Sequence, residues 1–578
     1  MNIRKIVTYI FTLLLCASCG TKKQILIGYT TPKTTYHNGY PQYTGNPWVS
    51  NMSKPYKITQ GLANKHVSVT NSHGRYFNNK KGEWDWQRPY MNGTREDLFT
   101  RTIVVPYLIP MLENAGANVF TARERDSQTN EIIVEKGKEL NIFATWQDCP
   151  TPGFADIKKV YDDNDHPFTY GTTKMVKTNK LKQCELQFVP RITKAGDYAV
   201  YVAYPKYKNE NVPDAHYTVY HGGTATEYIV NQTIGQGTWV YLGTFRFEAG
   251  QNPNNCVILT NESNYKGYIT ANAVRFGGGM GRTKRGGRVS GEPRCVEAAR
   301  YSAQWYGAPD RVWSTYKHEN DYNDDIRTRP MMANWVAGGS CFNPKEDGLG
   351  VPLELVLAVH SDAGKTADSS YIGTLGICTT NTNEGKLASG ASRDLSKELA
   401  TNLQQNIYKD VVNKYGNWRT RGTWDKNYGE TRLPEMPSAI VEVLSHENPA
   451  DMEKGHDPEF RFTLARSMYK TILRFIAEQH GEKAIVQPLP VKNLEAFPLN
   501  NGKMQVQWQA QLDETEPGSN PRAFIIYIAV GNGDYNNGDV VKSNAIALTV
   551  QPDAKYRIKV TALNDGGESM PREIEFKR

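Results

Sequence analysis

What the chain lacks narrows the reading first. The apolar run from Ile6 to Leu15 is too short to cross a bilayer as a stable helix. Cysteine is scarce, 8 residues among 578. The six beyond Cys19 (Cys149, Cys184, Cys256, Cys295, Cys341 and Cys378) include no Cys-x-x-Cys pair, which argues against a thiolate zinc site. Neither sign of charge dominates. The formal net charge is +8, and no basic-aromatic module for nucleic acid is present, so no nucleic-acid partner is expected. Nor is the chain polar enough to stay unfolded: 39% of residues are hydrophobic and 22% charged. A length of 578 residues exceeds one hydrophobic core and predicts three or four domains.

What is there begins with an export signal. Arg4 and Lys5 precede the short apolar run, and Cys16-Ala17-Ser18-Cys19-Gly20 follows it. Small residues directly before Cys19 resemble a bacterial lipoprotein box, although Cys16 stands where Leu is usual. This predicts lipidation of Cys19 and a cell-envelope location, with simple secretion as the alternative. No acidic run follows Cys19, which favours an outer-membrane anchor facing the periplasm. Export permits disulfides, but six cysteines allow 15 pairings and the sequence chooses none.

The organisation beyond is modular. His66 to Thr70 reads as a strand, and Thr94 followed by Asp97 as a variant capping box opening a helix that Pro106 and Pro110 should kink. Val119 to Thr121 reads as the next strand. From about 128 to 280 the pattern turns to β-branched and aromatic runs, Tyr198–Tyr204 and Trp239–Phe247, as in a β-sandwich. Helical pattern returns near Cys295 and persists to His480, with Leu395, Leu399, Leu403, Ile407 and Val411 on one helix and Leu464, Met468, Ile472 and Phe475 on another. Apolar strands at Leu355–Val359 and Ala439–Leu444 lie between. After Gln487-Pro488-Leu489-Pro490, Met504, Val506 and Trp508 alternate with glutamines, and Tyr556, Ile558, Val560 and Ala562 alternate likewise. The fold class is therefore an α/β domain, with a β-sandwich inserted into it, plus a C-terminal β-sandwich of fibronectin type III size. The expected boundaries are 1–19 signal, 20–60 tether or packed segment, 61–127 and 283–482 the α/β domain, 128–280 the insert, and 486–578 the final sandwich.

Four polar residues stand out of place. His73 follows the first strand, Glu96 opens the first helix, His360 ends an apolar strand and Glu442 interrupts another. Ligands gather outside the carboxyl ends of strands in open α/β sheets. Two imidazoles and a carboxylate can hold Zn²⁺ with a position left for water, whose pKa the metal lowers. A second carboxylate can move the proton. Each residue also has a structural reading, Glu96 as a complement to the helix dipole, for example. Glu442 is hardest to explain that way, because an unpaired charge within an apolar strand is costly.

The segments around these residues resemble the zinc-dependent N-acetylmuramoyl-L-alanine amidases. Leu62–Val69 leading into His73-Gly74, Gly93–Leu98 around Glu96, and Glu113–Asp126 with its Thr-Ala-Arg follow the family's order. So do Arg329 with Ala333-Asn334, Val359-His360-Ser361-Asp362-Ala363, and Pro437–Glu442. The resemblance implies a twisted sheet flanked by helices, one Zn²⁺ on His73, Glu96 and His360, Glu442 as general base, and peptidoglycan as substrate. Asn71-Ser72 replace the usual Asp-Pro-Gly, and Asp362 replaces an Asn. The insert, through Gly196–Val202 and Ala271–Gly278, resembles the golvesin/xanthan-lyase type β-module, which implies polysaccharide contact. Two other classes stay open: a non-catalytic glycan-binding envelope protein on an amidase scaffold, and a polysaccharide-degrading, lyase-like enzyme.

Overall fold

The computed structural model describes residues 39–368, 370–500 and 502–577. The predicted signal and Cys19 lie outside them. Among the described residues no helix is long and apolar enough to cross a membrane.

The α/β domain is built from β1 (His66–Asn71), α1 (Glu96–Phe99), β2 (Asn118–Phe120), α2 (Asp321–Ala337), β3 (Leu353–Asp362), β4 (Thr374–Cys378), α3 (Asp394–Tyr415), β5 (Thr420–Asp425), α4 (Gly429–Arg432), β6 (Ser438–Ser445) and α5 (Pro458–His480). Its six strands run in the order β5-β4-β6-β3-β1-β2, and only β4 against β6 is antiparallel. One face carries Val67, Val69, Leu357, Val359, Val441 and Val443, packed against Leu395, Leu399, Leu403 and Ile407 of α3 and Leu464, Met468 and Ile472 of α5. Those are the residues whose spacing marked the two helices. The other face carries Ala358, Leu375, Ile377 and Ile440 beneath α4.

The helix after Glu96 is broken as its two prolines require. Glu96–Phe99 and Arg101–Ile103 lead through a π-turn at Val104–Leu108 into Ile109–Asn114. The capping box at Thr94 does not form. Arg95 is the N-cap and no side chain caps the helix, because the Asp97 carboxylate is spent on the Gln87 and Arg88 amides at 3.2 and 3.0 Å. The 17-residue α2, with Pro330 inside, falls in the stretch from Cys295 to His480 expected to be helical, although no apolar stripe marked it singly.

The insert folds as antiparallel sheets. One joins Thr224–Val230, Ala215–His221, Cys256–Thr260, Glu185–Phe188 and Leu140–Phe143. Another joins Val240–Phe247, Gly196–Ala203, Ala273–Phe276 and Ile132–Val134. Val49–Asn51 pairs with Thr224–Val230, so the segment before β1 packs as an added edge strand. The core of the insert does not end at its boundary. Phe154, Phe168 and Trp239 belong to one buried cluster with Trp305, Trp313, Met332, Val336 and Leu353 of the α/β domain. The C-terminal strands Lys503–Gln509, Ala523–Val530 and Lys555–Asn564 enclose Val506, Trp508, Phe524, Ile526, Ile558 and Val560. The Tyr556 hydroxyl accepts from the Gln551 amide at 3.0 Å. The six cysteines Cys149 to Cys378 are all unpaired in the structure.

Candidate metal centre

Local structure explains why four residues far apart in sequence converge. The chain leaves β1 through Asn71-Ser72-His73-Gly74. Buried Arg123 holds that turn, donating to the carbonyls of Asn71, at 3.2 Å, and of His73. A side chain at Gly74 would meet the Glu297 carbonyl at 2.4 Å, so the backbones touch only because it is glycine. Glu96 is presented by a hairpin in which Met91 and Thr94 exchange backbone hydrogen bonds and Asn92 and Gly93 take φ of +46° and +82°. Arg95 lies 4.7 Å over the Trp86 ring and packs the loop down. His360 is the eighth residue of β3, and Glu442 is its register partner on β6.

The side chains lie within contact of one another. Nδ1 of His360 is 2.8 Å from Glu96 Oε1, and Nδ1 of His73 is 3.3 Å from Glu96 Oε2. The two imidazoles meet edge to face, with centroids 5.0 Å apart. All three residues are buried, and ligand atoms of the three lie within 4.8 Å of one another. His73 Nδ1 has no aligned hydrogen-bond partner although it is shielded from solvent. An orphaned imidazole nitrogen beside a buried carboxylate and a second imidazole is what a cation would satisfy. The donor set fits Zn²⁺. Arg88 also occupies this corner, with Nη2 3.2 Å from His73 Nε2 and Nε 3.3 Å from Glu96 Oε2. A guanidinium only donates, so it selects the His73 tautomer whose proton sits on Nδ1. A ligand role for Nδ1 requires the other tautomer, and Arg88 must then withdraw.

The electrostatics separate the groups. Burial pushes the Glu96 carboxyl up, but His73 and His360 outweigh burial and hold it well below the carboxylate range. Burial takes His73 down to about 4 against the pull of Glu96. For His360, burial is overcome by the carboxylates of Glu430 and Glu96, which raise it to about 10. Burial lifts Glu442 to about 8, and its Oε2 has no hydrogen-bond partner.

Sequence reasoning missed Glu430. This residue of α4 places Oε2 at 3.0 Å from His360 Nε2, on the side of the ring away from Glu96. Arg329 forks onto it through Nε and Nη2 at 2.7 and 2.9 Å, and Asp325 accepts from the same guanidinium at 2.7 Å. Asn334, further along the same helix, donates to Leu433 and accepts from the Glu435 amide, tying α2 to the turn that enters β6. In the sequence only its partner Arg329 was marked, through the resemblance of Arg329 with Ala333-Asn334 to the amidase family, and that resemblance named no carboxylate for it.

Comparison with known proteins finds one family model and several partial likenesses. Residues 162–278 match the family model described as the Golvesin C-terminal domain. A xanthan lyase of Bacillus sp. (strain GL1) is 35% identical over 92 residues, 15% of this chain and 10% of that protein. The match therefore spans a small part of the curated relative. Among solved structures, a Paenibacillus xanthan lyase is similar at 21% identity and a TM-score of 0.21, covering 25% of this chain and 13% of that one. An N-acetylmuramoyl-L-alanine amidase from Clostridium difficile 630 is similar at 19% identity and a TM-score of 0.20, covering 28% of this chain and 69% of that one.

Proposed function

We propose that the chain is a zinc-dependent amidase that hydrolyses the bond between N-acetylmuramic acid and L-alanine in peptidoglycan. The observation that carries the reading is the buried His73–Glu96–His360 cluster with Glu442 beside His360 on the neighbouring strand. In this reading the three cluster residues hold one Zn²⁺ and Glu442 is the general base. When bound, the ion supplies Lewis acidity at the scissile carbonyl and lowers the pKa of attacking water. Glu442 takes the water's proton on its unpartnered oxygen and hands it to the departing amide nitrogen. Glu430 orients the His360 ring from behind, and Arg329 fixes Glu430. Burial of the site keeps these charges from being screened.

The insert and the C-terminal sandwich would contact glycan or other envelope polymer around that site. A lipid on Cys19 would hold the protein at the outer membrane, facing the periplasm. Cys19→Ser would then move the protein from membrane to soluble fractions, and unchanged fractionation would remove the anchor from the reading.

The test of the activity is incubation with purified muropeptides, with and without chelator, products being identified by mass. Release of intact stem peptide that chelator abolishes supports the reading. His73→Ala and His360→Ala should each lose most of the bound zinc. Full zinc occupancy in both variants, or zinc-loaded protein that cleaves no muropeptide, would overturn it, the latter favouring a glycan-binding scaffold.

A further inference from the structure

Arg421 of the edge strand β5 is half engaged. Its Nη1 donates to Asp362 Oδ2 at 2.6 Å, two residues beyond His360. Its other edge, Nε with Nη2, is shielded from solvent and has no hydrogen-bond partner. Arg329 shows the use of that edge, since there the same two nitrogens fork onto both oxygens of Glu430. A guanidinium carries five donors, no acceptor and a permanent charge. Leaving such a fork empty and shielded is costly, and the matching ligand is a pair of coplanar anionic oxygens. Trp424, 40% exposed on the same edge strand, lies with its ring 5.9 Å from the guanidinium carbon, so this side of the arginine is close to the protein surface.

Placement gives the fork its meaning. Glu442 on β6 pairs with His360 of β3 on one side and with Leu375 of β4 on the other, and the Arg421–Asp362 bond joins β5 to β3 across both β4 and β6, so the guanidinium lies on the β5 side of Glu442, away from His73 and Glu96. On the amidase reading, which this inference presupposes, Glu442 delivers its proton to the nitrogen of the leaving peptide. The groups beside Glu442 therefore face the peptide, not the sugar. We infer that the Nε–Nη2 edge of Arg421 binds a carboxylate in the first residues of the leaving peptide and selects substrates that carry it free. Asp362 holds the guanidinium in place from the opposite edge. Arg421 is then a specificity residue, while the chemistry stays with Glu442.

The experiment uses two matched substrates, N-acetylmuramoyl-L-alanyl-D-glutamate with its γ-carboxyl blocked as the methylamide and its α-carboxylate free, and the same compound with the α-carboxylate replaced by the carboxamide. Wild-type kcat/KM should favour the free acid by about 10- to 100-fold, mostly through KM. Arg421→Gln should lower turnover of the acid and leave that of the amide, erasing the preference. In parallel, calorimetry should show L-alanyl-D-glutamate γ-methylamide, with its α-carboxylate free, binding more tightly than its α-carboxamide to the zinc-loaded wild type, but not to Arg421→Gln. Equal wild-type kcat/KM for both substrates overturns the inference and leaves the amidase reading intact. If neither substrate is cleaved but the dipeptide acid alone binds, and Arg421→Gln loses it, the amidase reading fails and the carboxylate site stands. Should the variant not fold, the wild-type comparison of acid with amide decides by itself.

Discussion

His360 and Glu442 are direct register partners on adjacent parallel strands, so imidazole and carboxylate project from the same face of the sheet. Ala358 and Ile440, one step back on each strand, occupy that face with Leu375, an apolar floor that raises the carboxyl to about 8. Glu442→Gln keeps the shape and removes the basicity. Muropeptide turnover should fall about 10²- to 10⁴-fold with zinc content unchanged. The melting temperature should hold or rise, because a buried carboxyl with an unpartnered oxygen disappears. Near-normal turnover by the zinc-loaded variant would remove Glu442 from the chemistry.

Glu430 predicts a different signature. It touches the ring of a proposed ligand from behind and is itself held by Arg329. Glu430→Gln should weaken zinc binding about 10- to 100-fold, read by competition with a chelating dye. Arg329 keeps Asp325, so the fold should survive. Unaltered zinc affinity would make Glu430 a purely structural partner of Arg329.

The sequence showed the sheet and its long helices because each buries one continuous face. Leu395 to Val411 and Leu464 to Phe475 line the same core, and their spacing is that contact written along the chain. His73, Glu96 and His360 were legible as polar residues at strand ends or a helix start, and Glu442 as a charge inside an apolar strand. Glu430 was not, since a Glu in a four-residue helix looks like any surface carboxylate until α2 folds over it. Arg88 and Arg421 were missed for the same reason. Their roles come from loops and an edge strand, where no periodicity constrains a side chain.

Arg88 sits where its charge opposes a cation. Its guanidinium contacts both His73 Nε2 and Glu96 Oε2 and favours the wrong His73 tautomer for a ligand at Nδ1. Arg88→Gln should therefore tighten zinc binding, by about tenfold if the local interaction is in the range expected near a protein surface. A chelator competition series at constant pH measures it. Weaker binding in the variant would mean that Arg88 supports the bound state.

Cutting out the insert should not leave a folded α/β domain. Trp239, Phe154 and Phe168 share a core with Trp305, Trp313 and Met332. Across the same junction, buried Arg300 pairs with Asp163 at 2.9 Å, and Arg275 with Glu124 at 2.9 Å. Each large side chain uncovered costs about 1.5–3 kcal/mol, against a total stability of about 5–15 kcal/mol. Replacing 128–280 with a short Gly/Ser linker should give protein without a cooperative thermal transition. A soluble fragment that melts cooperatively would show the two cores to be separable.

Acid should loosen the N-terminal segment through His66. This buried imidazole accepts the Trp48 amide hydrogen at Nε2, 3.0 Å away, so the folded protein holds it neutral. Burial, with the nearby Lys65 charge, lowers its pKa to about 3 from an ordinary 6.5. The unfolded chain therefore binds the extra proton between those values, and stability falls as pH drops from about 6.5 toward 3. Below that both states are protonated and the loss stops growing, at no more than about 5 kcal/mol. His66→Gln keeps an acceptor for Trp48 and removes the titration. Its melting temperature should fall less than that of the wild type between pH 7 and pH 4, the two sharing every other acid-sensitive group. Parallel profiles across that window would mean that His66 is protonated in the folded protein or moves away from Trp48, and the segment before β1 would then be held by its other contacts, among them the Val49–Asn51 pairing and the Trp48 Nε1 bond to Tyr204.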